Sequence, residues 1–170
     1  MKKLISLLLS MAMVFSMTAV QALAADEETA MLADTGAEGT DAPVAQTVTL
    51  DLSKGSIVIS ATGYKQGGGD ETPFTGAYTI KQDDKAYLNN TVSVTGGTHE
   101  ITMNDVIIDV SNSSGACAFS IATGATVDLK LAGRVMLKSG SYAAGLSVPT
   151  GAAVTISAVS ASGALTAESM

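Results

Sequence analysis

The chain has 170 residues with 9 basic and 16 acidic side chains, a net charge of −7, one cysteine and no tryptophan. Its acidic balance argues against nucleic acid or anionic lipid as a partner. A single cysteine, Cys117, excludes an internal disulfide.

Residues 1–24 read as an export signal: a basic MKK start, the apolar run LISLLLSMAMVFSMTAV and the small-x-small site Ala22-Leu23-Ala24. No later apolar run approaches the ~20 residues of a spanning helix, so the expected location is secreted or cell surface, with no membrane insertion after cleavage. Loss of Lys2 and Lys3 leaves 7 basic against 16 acidic residues, or −9. Residues 25–47 hold Asp26, Glu27, Glu28, Asp34, Glu38 and Asp41 with no basic residue. This stretch is too poor in large apolar groups to repay its ordering entropy and is expected to be a disordered, self-repelling tether.

From residue 48 the pattern changes to short segments of period 2. VTLDLSKGSIVIS, residues 48–60, predicts two strands around a Lys54-Gly55 turn, as a lead-in. A loop around Gly67, Gly68 and Gly69 follows, then the alternation Tyr78-Thr79-Ile80. Beyond this the chain repeats itself. Val92-Ser93-Val94, Phe119-Ser120-Ile121 and Leu146-Ser147-Val148 are each apolar, Ser, apolar, and each leads to a turn ending at Gly97, Gly124 or Gly151. Second strands follow at Ile101-Thr102-Met103, Val127-Asp128-Leu129 and Val154-Thr155-Ile156. Third strands follow at Val106-Ile107-Ile108, Val135-Met136-Leu137 and Leu165-Thr166-Ala167.

Equivalent residues returning at about 27 residues, three strands per coil, predict an all-β fold: a short right-handed parallel β-helix over residues 48–170. Inward columns would include Ile101/Val127/Val154 and Met103/Leu129/Ile156. Outward columns would include Ser93/Ser120/Ser147 and Thr102/Asp128/Thr155. A β-sandwich or β-roll could carry the same alternation but would not explain the even spacing. Three coils stack to about 14 Å, and the last leaves its backbone edge open. The domain is therefore expected to be incomplete at its C-terminus, or to self-associate through that uncapped coil.

The run NTVSVTGGTHEITMNDVIIDVS, with ACAFSIATGATVDLKLAG and LKSGSYAAGLSVPTGAAVTIS, resembles exported carbohydrate-binding-domain proteins of Gram-positive, clostridia-like bacteria. Those proteins have a pectate-lyase-like right-handed β-helix. The resemblance covers roughly residues 49–170 and implies a surface or secreted glycan-binding role. It also implies bound calcium in some relatives, and nothing else in the chain points to a cofactor.

Catalytic and metal chemistry finds little support. Asp105 and Asp109 are four residues apart, ~13 Å along a strand, too far to share a proton or a metal ion. Asp128 and Lys130 lack a partner carboxylate nearby in sequence, and paired acids flanking a scissile bond need closer approach. His99, the single histidine, falls at a turn and is expected to face solvent. Cys117 aligns with Ala144 and is expected to fill a small slot. Neither catalytic nor metal residues are assigned. For sugar binding, the platform candidates are Tyr64 and Tyr87, both expected in loops. The polar candidates are Asn104, Asp128 and Lys130 on the outer ladders. The expected function is a non-catalytic extracellular or cell-surface polysaccharide-binding module. The alternatives are a structural spacer or adhesin segment without glycan affinity, and a degenerate polysaccharide lyase.

Overall fold

Each period-2 segment becomes a strand that pairs with its counterpart one coil away. The computed structural model describes residues 46–84 and 88–170. The expected signal peptide at residues 1–24, the acidic segment through residue 45 and Tyr87 lie outside the described residues. In chain order the strands are β1 Thr47–Asp51, β2 Ile57–Ile59, β3 Gly63–Gln66, β4 Thr72–Pro73, β5 Ala77–Lys81, β6 Val92–Val94 and β7 Thr98–Asn104. They continue as β8 Ile107–Asp109, β9 Phe119–Ile121, β10 Thr126–Leu131, β11 Arg134–Lys138, β12 Leu146–Ser147, β13 Ala153–Ala158 and β14 Ala164–Glu168.

Three sheets run along the stack. The first has the order β1-β5-β7-β10-β13, the second β14-β11-β8, and the third β12-β9-β6-β2-β3-β4. All pairings are parallel except β2–β3 and β3–β4. The result is a parallel β-solenoid of about four coils, roughly 28 residues per turn. The extra coil lies upstream, where the sequence suggests only a lead-in. β2 stacks on β6, β5 stacks on β7, and Leu88 bridges to Ile108 in the second sheet.

The alternation places one face of every strand in a continuous apolar column. Ile57, Val92 and Phe119 form one such column and are fully buried, as are Ile59 and Val94. The core of 22 apolar residues, from Leu50 to Leu137, draws on every coil except the last. Corners are made where the chain adopts positive φ. Gly97, Gly124 and Gly151 have φ of 87°, 85° and 85°, a region that glycine enters without steric cost. They occupy the equivalent corner in successive coils, as the repeat requires.

Three expectations need correction. The second-strand columns are out by two residues: Val127 stacks on His99, and Leu129 on Ile101. Partners on β7 and β10 are 28 residues apart where the expected columns take 26: the turn before β7 is one residue shorter than its counterpart before β10, where those columns make it one longer. A slip of two preserves which side chains face inward, so the alternation alone does not reveal it. As a consequence His99 does not face solvent. It is 7% exposed, its Nε2 donates to the Gly96 carbonyl at 2.7 Å, and its ring meets Tyr78 edge-on at 5.7 Å. Nor is Tyr64 a loop residue. It lies on β3, half-buried, with T-shaped contacts to Phe74 at 6.4 Å and Tyr78 at 6.1 Å.

The hairpin β3–β4 and this aromatic group close the core at the N-terminal end. Tyr78 Oη donates to the Phe74 carbonyl at 3.3 Å, which satisfies the one polar atom of a fully buried ring.

Candidate functional site

The outer face of the first sheet is the longest polar surface that the described strands build. Its outward residues follow from the pleat. On β7 the inward set is His99, Ile101 and Met103, and the outward set is Thr98, Glu100, Thr102 and Asn104. On β10 the outward set is Thr126, Asp128 and Lys130. Register then aligns them across coils. Thr49 lies beside Thr79, Thr79 beside Thr102, Thr102 beside Lys130, and Lys130 beside Ser157. This row of hydrogen-bonding side chains crosses all five strands at the ~4.8 Å inter-strand spacing. Thr98 beside Thr126 makes a shorter parallel row.

The corrected register also creates a carboxylate pair. Glu100 lies beside Asp128 on the neighbouring strand, and Lys130 Nζ binds Glu100 Oε2 at 2.7 Å. The hydrogen bond to Glu100 raises the Lys130 pKa, with the charges of Glu100 and Asp128 adding to it. Lys130 thus offsets the repulsion of two adjacent carboxylates on an exposed strand surface. Asn104 ends β7 beside Lys81, which pairs with Asp83 at 2.8 Å. Of the sequence candidates, Asn104, Asp128 and Lys130 therefore share this face. Tyr64 belongs to the aromatic group at the end of the core, and Tyr87 lies outside the described residues.

The acids considered for catalysis are held apart by their own partners. Asp105 sits at the corner between β7 and β8 with φ of 51°, and its Oδ1 accepts from the Arg134 backbone N–H at 3.1 Å. Asp109 accepts from the Ser111 backbone N–H at 3.0 Å and faces Lys138 at 3.8 Å. Hydrogen bonding to Ser111 holds its carboxyl below the ordinary range. Cys117 does align with Ala144: its Sγ donates to the Ala144 carbonyl at 2.8 Å, and burial pushes the thiol pKa up. That environment makes it a packing residue rather than a nucleophile. Among the described residues no cluster of three His, Cys, Asp or Glu side chains could hold a metal ion.

One aromatic that the sequence does not single out is more open than the others. Tyr142 is 96% exposed with φ of 64°, at the corner between β11 and β12. That corner does not border the first sheet, so Tyr142 does not add a stacking platform to the polar face. A positive φ at a bulky residue is not signalled by periodicity, and the surrounding SGSYAAG reads only as a turn.

No family model, curated protein or solved structure matches the chain. Its class is thus set by its own geometry: a parallel β-solenoid with one long hydroxyl-bearing and charged outer sheet.

Proposed function

We propose that the protein is a non-catalytic, extracellular or cell-surface polysaccharide-binding module. One observation carries this reading: the row Thr49, Thr79, Thr102, Lys130, Ser157, aligned across five strands of one sheet. Hydroxyl groups both donate and accept hydrogen bonds. Four hydroxyls and the Lys130 ammonium at ~4.8 Å intervals offer repeated contacts to an extended polymer with a similar repeat. Many weak contacts along one chain add up through effective concentration. The N-terminal export pattern and the resemblance of residues 49–170 to exported carbohydrate-binding proteins support the same reading. Asn104, Asp128 and Lys130 are the side chains proposed to flank the polymer.

The test is retention of the purified protein on a panel of soluble and insoluble plant and bacterial polysaccharides, with calcium and with chelator. Retention on at least one polymer is expected, lost on changing Thr49, Thr79 and Thr102 together to Val. Dependence on calcium would add a metal to the site. No retention from a protein with a native β-sheet spectrum would replace this reading with the spacer or adhesin role.

A further inference from the structure

The corner between β11 and β12 carries the most exposed large apolar side chain of the described residues, Tyr142. It takes φ of 64°, a left-handed conformation that a bulky residue rarely adopts. The preceding coil shows what the corner itself requires. Leu146 lies beside Phe119, so Tyr142 occupies the place that Gly115 holds one coil earlier, with φ of 77°. Glycine enters this region without steric cost, and the fold is therefore better served there by the smaller residue. The backbone on both sides of Tyr142 is pinned. The Gly115 N–H donates to the Ser141 carbonyl at 2.9 Å, the Gly140 N–H to the Ala116 carbonyl at 3.0 Å, and the Ser139 hydroxyl to the Ala143 carbonyl at 2.7 Å. A strained residue on a fixed backbone, with its ring in solvent, adds nothing to the core. Strain of this kind is kept where a contact outside the chain uses it.

The surroundings indicate the ligand. Asn112, Ser113 and Ser114 are exposed on the adjoining corner between β8 and β9, and residues 110–127 and 139–167 hold no charged side chain. We infer that Tyr142 is a stacking platform for one neutral pyranose ring, with Asn112, Ser113 and Ser114 as the hydrogen-bonding groups beside it. The negative face of an aromatic ring suits the C–H face of a sugar, and amide and hydroxyl groups both donate to and accept from its hydroxyls. A charged ligand would find no counter-charge on these two corners. A protein partner would need about 1,000 Å² with an apolar centre, whereas the two corners expose one large apolar side chain. The inference takes its ligand class from the polysaccharide-binding reading above and adds a second contact to it. Because this corner does not border the first sheet, the ring it holds belongs to a different stretch of polymer from the one on the threonine row.

The experiment is an NMR titration of the whole protein, with its tyrosine rings labelled. The probes are hexasaccharides of glucose, xylose and mannose, and of any polymer that retains the protein. Saturable shifts of the Tyr142 ring are expected with at least one of them, while the fully buried Tyr78 ring stays unmoved. Tyr142→Phe keeps the ring face and should bind within about twofold, and Tyr142→Gly should weaken binding about fivefold or more. Since glycine suits positive φ, Tyr142→Gly should unfold at an equal or higher urea concentration, which separates lost binding from lost folding. The triple threonine variant should lose polymer retention yet keep the Tyr142 shifts. Polymer retention without a Tyr142 shift overturns the inference and leaves the polysaccharide reading standing, whereas absence of both removes the two together. Unchanged binding by Tyr142→Gly also overturns it. A sedimentation profile altered by Tyr142→Gly, with no sugar shift, would instead place the ring in a contact between copies.

Discussion

Asp51 shows how much a single buried carboxylate does at the first corner of the stack. It is 5% exposed and accepts from the Ser53 hydroxyl at 2.6 Å, the Ser53 N–H at 3.0 Å and the Asp83 N–H at 3.2 Å. The Ser53 hydroxyl is the main cause of a pKa lowered from 3.8 to about 2. A depressed carboxylate pKa contributes stability that is fully present above the unfolded value and lost as pH falls through the folded one. Stability supplied by Asp51 should therefore decline between pH 4 and 2. Asp51→Ala should cost about 2 kcal/mol at neutral pH, the scale of hydrogen bonds to a charged group. It should also flatten the pH dependence in that window, as read from urea midpoints at pH 7, 4 and 2.5. Equal pH slopes in the two proteins would contradict the assignment. His99 makes a complementary point: an interior slot accepts a polar ring because Gly96 supplies an acceptor and Gly97 has no side chain to crowd it.

Among the elements, strands in one column differ in what they contribute. Tyr78, Ile101, Leu129 and Ile156 stack in successive coils of the first sheet. The first three are fully buried, whereas Ile156 is 43% exposed. Truncation of a buried Leu leaves a cavity as well as losing transfer energy. Leu129→Ala is thus expected to destabilise by about 3 kcal/mol, and Ile156→Ala by less than about 1 kcal/mol. Chemical denaturation of the two variants measures the difference, and equal losses would mean that the last coil is as well packed as the third. Lys130 acts on the same sheet from outside. Its pair with Glu100 is exposed, so removing it should change stability little while altering the charge of the face.

For the molecule as a whole, the two ends of the stack differ. At the N-terminal end Leu50, Leu52 and Tyr78 are buried beneath the hairpin and its aromatic residues. The last coil leaves Ile156 and Val159 exposed, at 43% and 55%. Residues 139–170 carry a single charged side chain, Glu168, although edge strands that avoid pairing usually carry charge. The 170-residue polypeptide is therefore expected to associate as its concentration rises, two copies meeting through their last coils. Sedimentation velocity across a hundredfold concentration range tests this. Ile156→Lys should return the protein to a monomer, and a concentration-independent monomer of the unaltered chain would refute it.

The sequence by itself determined the architecture, because a solenoid's strands obey local rules that recur coil after coil. Apolar alternation marks which side chains face inward, and Gly97, Gly124 and Gly151 mark the corners where positive φ is needed. The columns of Ser93/Ser120 and Val135/Leu165 follow directly. The outward direction of Asn104, Asp128 and Lys130 is legible for the same reason, from their places in the alternation. The tertiary structure alone decided how β7 sits against β10, since a two-residue slip leaves every inward side chain inward. From that register come the burial of His99, the Glu100–Asp128 pair and its ion pair to Lys130. It alone also put Tyr142 at positive φ with its ring in solvent, since the chain there reads only as a turn.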